Sequence, residues 1–154
     1  MTDANGQTRR DVLIGAASIA GALTLSRRAV ATPETMQAAI KKVVGDAPLR
    51  KGKVTLDIPP LVENGNTVPV SVAVESPMTA DDHVKAIHIF NEKNPLPDVI
   101  GIRIGPYAGK AEIATRIKLA DSQTVIAVAQ MSDGSFWSDS VEVIVTIAAC
   151  VEGI

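Results

Sequence analysis

An immunoglobulin-like sandwich of two antiparallel β-sheets, preceded by one short helix, is the fold class this sequence predicts. Three observations predict it. The apolar period switches from helical to two near Lys53, short alternating runs then follow one another to Ile147, and turn residues separate the runs. Thr32 is suited to cap the helix, Pro33 to its first position and Glu34 to its positive end. Met36, Ala39, Ile40 and Val43 recur at helical spacing, and Gly45 stops the run.

Alternation then carries seven predicted strands. They hold Val54, Leu56 and Ile58; Val68 to Val74; Ile87 and Ile89; Ile100, Ile102 and Ile104; Ala111 to Leu119; Val125 to Ala129; and Trp137 to Ile147. Asn64-Gly65, Asn94-Pro95, Gly105-Pro106, Asp121-Ser122 and Asp133-Gly134 mark turns between them. One apolar face per strand suits two packed sheets. A single cysteine rules out the antibody-type internal disulfide, so only the architecture is expected.

Residues 1–31 read as a segment to be removed before folding is considered. Thr8-Arg9-Arg10-Asp11-Val12-Leu13 resembles the twin-arginine export motif. The apolar run Val12 to Leu25 is shorter than the roughly 20 residues a membrane span needs, and Ala29-Val30-Ala31 fits the small-x-small rule for cleavage after Ala31. Periplasmic export is therefore expected, with a folded domain at 32–147 and a tail at 148–154. The remaining chain has 11 basic and 15 acidic residues. That balance is no footprint for nucleic acid or an anionic membrane.

Cys150, the chain's only cysteine, sits in the tail Ala148-Ala149-Cys150-Val151-Glu152-Gly153-Ile154. A lone thiol is unusual in an exported protein, where cysteines normally pair. No Lys or Arg follows Lys118, whereas Asp121, Asp133, Asp139, Glu142 and Glu152 do. Nothing adjacent in sequence activates the thiol for catalysis. Such a thiol suits loading and unloading by other proteins. Small flanking residues keep the arm slender, and its reach from Ile147 to Cys150 is at most roughly 10 Å.

Other chemistry is thin. His83 and His88 have opposite strand parity and suit no shared metal. Met78 and Met131 do not cluster as a copper site would, and Trp137 is expected to pack. There is no phosphate-binding loop and no serine nucleophile elbow. No cofactor is expected on the chain.

Lys53-Val54-Thr55-Leu56-Asp57-Ile58-Pro59, Glu63 to Val70, Val74 to Thr79, His83 to Ile87, Gln130 to Ser135, and Val145-Thr146-Ile147 form one set of segments through the mature chain. In these the chain resembles the SoxY family, the sulfur carriers of the periplasmic thiosulfate-oxidising Sox system. The resemblance implies a covalent thiosulfate adduct on Cys150 and a SoxZ-like sandwich partner forming a heterodimer. It further implies transient visits by the haem enzyme SoxAX, the manganese hydrolase SoxB and a sulfane dehydrogenase. Where the family tail usually reads Gly-Gly-Cys-Gly-Gly, this one has Ala148, Ala149, Val151 and Glu152 at the flanks, followed by Gly153 and an extra Ile154. Alanine and valine stiffen the arm. Two competing readings remain: a cysteine-dependent sulfurtransferase using His83 or His88 as base, and a homodimer locked through a Cys150 disulfide.

Overall fold

The computed structural model describes residues 32–150, and residues 1–31 and 151–154 lie outside that range. The predicted signal residues Arg9, Arg10, Ala29 and Ala31 therefore fall outside it, as do Val151, Glu152 and Gly153 of the tail. Helix α1 spans Pro33–Val44. The Thr32 amide donates to Thr35 Oγ1 at 2.9 Å, so a side chain satisfies a donor that the helix start leaves unpaired. Gly45 ends the helix at φ 65°, and its amide donates to the Lys41 carbonyl at 2.8 Å.

Nine strands follow: β1 Leu49–Lys51, β2 Val54–Asp57, β3 Leu61–Asn64, β4 Val68–Val74, β5 Val84–Asn91, β6 Asp98–Arg103, β7 Glu112–Ile117, β8 Gln123–Met131 and β9 Phe136–Ile147. They form two sheets. The larger runs β1-β9-β8-β5-β6, with β3 also on β9, and the smaller runs β2-β4-β7. The predicted antiparallel sandwich is present in every pairing except two. β1 and β3 both lie parallel to β9, at Phe136–Ser138 and Ile144–Ile147 respectively. Neither short strand was expected from the sequence. β1 buries none of its residues and β3 buries only Val62, so no period of two could announce them.

The main core lies between the sheets. Val68, Val70, Val72 and Val74 of β4 face Ile87, Ile89, Val125, Ala127, Ala129 and Val143 of the larger sheet. Full burial of such side chains is worth about 1.5–3 kcal/mol each for the larger ones. A second cluster explains why β5 and β8 are apolar on both faces. Met36, Ile40 and Val44 of α1 cover Phe90, Val128 and Phe136 on the outside of the larger sheet. Some predicted inward residues are not inward: Thr115 is exposed, Ile102 is 38% exposed and Ile147 is 62% exposed. Both isoleucines are near strand ends, where the sandwich no longer closes over them.

Phe90 is wholly buried beneath the helix. Phe90→Ala is expected to cost about 3–5 kcal/mol, read from urea unfolding followed by Trp137 fluorescence. A cost below about 1 kcal/mol would mean the helix-covered cluster adds little to the fold.

Candidate functional site

β9 ends at Ile147, but the chain does not leave the sandwich there. The Ile147 carbonyl accepts the Gly65 amide at 2.8 Å, and the Gly65 carbonyl accepts the Leu119 amide at 2.8 Å. The Leu119 carbonyl in turn accepts the Ala149 amide at 2.9 Å. The Cys150 amide then donates to Asn66 Oδ1 at 3.3 Å. Ala148 is exposed, Ala149 is only 7% exposed, and Cys150 is exposed. The sequence predicts a projecting arm after Ile147. Instead the backbone stays fastened through Cys150, because the loops at Gly65 and Leu119 offer partners that local sequence does not reveal.

Gly65 is the hinge pin of this relay. A Cβ there would collide with the Leu119 carbonyl and lie 2.9 Å from the Ala149 nitrogen. Asn64 sets the next residue. Its Oδ1 accepts both the amide and Nδ2 of Asn66, at 3.0 and 3.1 Å, leaving Asn66 Oδ1 to receive Cys150. Two segments are thus turned toward the thiol by one Asn-Gly-Asn sequence.

Cys150 lines the mouth of a groove of about 890 Å³. Its walls are β6 and β7, the edge strands of the two sheets, which do not pair with each other. Leu96, Val99 and Ile100 supply apolar wall, whereas Arg116 and Lys118 supply cationic side chains. A buried polar knot holds the loop before β6. Asn94 Nδ2 donates to the Lys118 carbonyl at 2.7 Å, and Asn94 Oδ1 accepts the Ala120 amide at 3.0 Å and Gln123 Nε2 at 3.1 Å. Lys93 Nζ lies 3.0 Å from Asp121 Oδ2. The hydrogen bond from Lys93 holds the Asp121 carboxyl below its ordinary range, with the Ser122 amide and the lysine charge adding to it.

No Lys or Arg is near Cys150 in the sequence, whereas the fold puts Arg116 and Lys118 on the groove that Cys150 lines. Arg116 and Lys118 were missed because outward positions of an alternating strand look like an ordinary solvated face. His83 and His88 are not brought to the groove. His83 sits where the chain enters β5, against the β8–β9 turn, its amide on Ser132 Oγ at 3.1 Å and its Nδ1 3.1 Å from the Thr79 carbonyl oxygen. Cys150 lies past the opposite end of the 12-residue β9. At about 3.3 Å per residue, strand length alone separates the two by tens of ångströms. His88 is stacked on Phe90, with Nδ1 3.8 Å from Asp98. Among the described residues, no three His, Cys, Asp or Glu side chains are grouped to hold a metal ion.

Fold and site together define an all-β sandwich that displays one accessible thiol beside an inter-sheet groove. The profile of the family described as sulfur oxidation protein SoxY matches residues 40–150, and the chain belongs to that family. The sulfur carrier protein SoxY from Chlorobium limicola f thiosulfatophilum is similar in structure, with TM-score 0.62 and 29% identity over 74% of this chain and 98% of that one. A superoxide reductase (neelaredoxin) from Ignicoccus hospitalis has TM-score 0.55 at 18% identity, over 75% of this chain and 94% of its own. The superoxide reductase from Nanoarchaeum equitans has TM-score 0.52 at 13% identity, over 62% and 100%. These two share the fold alone. No curated protein matches the chain in sequence.

Gly65→Ala is expected to lower stability by about 1–3 kcal/mol through overpacking and to speed hydrogen exchange at the Ala149 amide. Unchanged exchange there would show that the relay does not depend on the missing side chain.

Proposed function

We propose that this chain is a sulfur carrier, exported to the periplasm by the twin-arginine route, that bears thiosulfate-derived sulfur covalently on Cys150. The observation that carries the reading is the exposure of Cys150 at the end of an anchored strand, in a chain of the SoxY family. The described carrier from Chlorobium limicola supports the same role. Cys150 has no histidine base in its groove, so the chain itself is read as the bearer of the substrate rather than the catalyst.

Loading joins the Cys150 sulfur to the outer sulfur of thiosulfate. One S–S bond forms, one proton is released, and two electrons pass to an oxidant, for which a haem enzyme of the SoxAX kind is suited. The product is an S-thiosulfonate with one negative charge. Hydrolysis by a SoxB-like enzyme needs no redox partner: water attacks the terminal sulfonate sulfur, sulfate leaves, and a persulfide remains on Cys150. A sulfane dehydrogenase then has that persulfide as its substrate. A SoxZ-like sandwich subunit is the proposed stable partner.

Intact mass spectrometry of protein from cells oxidising thiosulfate is expected to show thiosulfonate or extra sulfur on Cys150. Cys150→Ser is expected to abolish both the adduct and thiosulfate oxidation. An unmodified thiol together with a functional serine variant would overturn the reading. Non-reducing gels of dilute protein, with and without the loading enzyme, separate it from a Cys150-linked homodimer. Val151→Gly, which relaxes the backbone beside the thiol, is expected to raise turnover by the loading and releasing enzymes. Equal rates in a reconstituted assay would show that stiffness at Val151 does not limit access.

A further inference from the structure

We propose that the groove beside Cys150 contains an oxyanion subsite, in which Arg116 and Lys118 hold the anionic sulfonate end of the group attached to the thiol. The identity of that group rests on the carrier reading, whereas the subsite rests on the groove.

Placement comes first. Ala149 and Leu119 share a backbone hydrogen bond, and Cys150 and Lys118 are the next residues on either side of it. Both residues line the same groove. Arg116 is two residues from Lys118, across the inward-facing Ile117, so the period of two puts the cations on one face of the β7 segment. Their Cα atoms are then about 6.5–7 Å apart.

Charge comes next. The whole chain has net charge −2, and its last 36 residues bear five acids and no Lys or Arg. A pair of cations beside the thiol therefore opposes the general trend of the molecule. Among the described residues neither Arg116 nor Lys118 forms an ion pair. Among the described residues Asp98 is the one acidic residue lining the groove, and it belongs to β6, the other wall, 3.8 Å from His88 Nδ1. A guanidinium presents a planar fork suited to two oxygens of a tetrahedral oxyanion, and an ammonium adds a point charge. Leu96, Val99 and Ile100 make part of the facing wall apolar.

The ligand class is a short sulfur chain ending in a sulfonate. A neutral thiol adduct gains nothing from this wall. An anionic one is drawn into the seam, and an anionic reagent is drawn toward the thiol.

Isolated protein suffices as a test. Tetrathionate reacts with the Cys150 thiolate by exchange: the thiolate attacks an inner sulfur, the central S–S bond breaks, and thiosulfate leaves with the electron pair. The product is the same S-thiosulfonate, and the thiol proton goes to buffer. The rate with this dianion is compared with the rate for neutral 4,4′-dithiodipyridine, which reports thiol exposure and ionisation. The ratio of the two rates is expected to fall about tenfold in Arg116→Gln/Lys118→Gln at low ionic strength, and the difference to shrink in high salt. Asp98→Asn is expected to raise the ratio. Lys41→Gln/Lys42→Gln, with the same charge change on α1, is expected to leave it unchanged. A ratio that is unaffected by the groove variants, or that falls equally with the α1 variant, overturns the subsite. Lack of an adduct in thiosulfate-oxidising cells would instead overturn the carrier reading, and would leave a groove-specific ratio standing.

Discussion

Everything at the functional end depends on a chain of three backbone hydrogen bonds, from Gly65 to Ile147, from Leu119 to Gly65 and from Ala149 to Leu119. Each is worth only about 1 kcal/mol net. Their importance is positional, since they join three segments far apart in sequence and fix where the polypeptide stops being scaffold. The constraint falls on one residue. Gly65 can serve both neighbours only because it has no side chain to put between the Leu119 carbonyl and the Ala149 amide.

The same relay determines the electrostatics. Along the sequence, Cys150 lies in the acidic last 36 residues of the chain. In space, the bond between Leu119 and Ala149 turns that end toward the end of β7, where Arg116 and, one residue past the strand, Lys118 line the same groove. The groove exists because two sheets in a sandwich leave their edge strands unpaired along one side. Here β6 and β7 form that side, and the Asn94 knot ties the loop before β6 to the residues after β7.

Much of the scaffold is legible in the sequence. The valines of β4 and the isoleucines of β5 read directly as a core face, and Pro33 and Gly45 bracket the helix within a residue. β1 and β3 are illegible because they are three and four residues long and bury almost nothing. Their pairing follows from the free edge of β9 rather than from their own composition. Cys150 is conspicuous as a lone thiol. Its surroundings are not, because Asn66, Arg116 and Lys118 reach it only through pairings between distant segments. Asn64-Gly65 reads as a turn, but nothing local shows that its glycine is required by the approach of residue 149.

The likeness to superoxide reductases at under 20% identity separates scaffold from chemistry. A sandwich of this kind carries no fixed reaction, and what it does is decided by what its ends and edges display. In this chain the display is a thiol held close to the body. A glycine at position 149 would remove the methyl group that is buried here and would widen the allowed backbone angles. Alanine does the reverse: its methyl anchors the arm one residue before the sulfur. The arrangement trades reach for registry with the cationic wall. In the proposed carrier role, partners acting on Cys150 must therefore accept a thiol held beside the groove, or supply the energy to release Ala149.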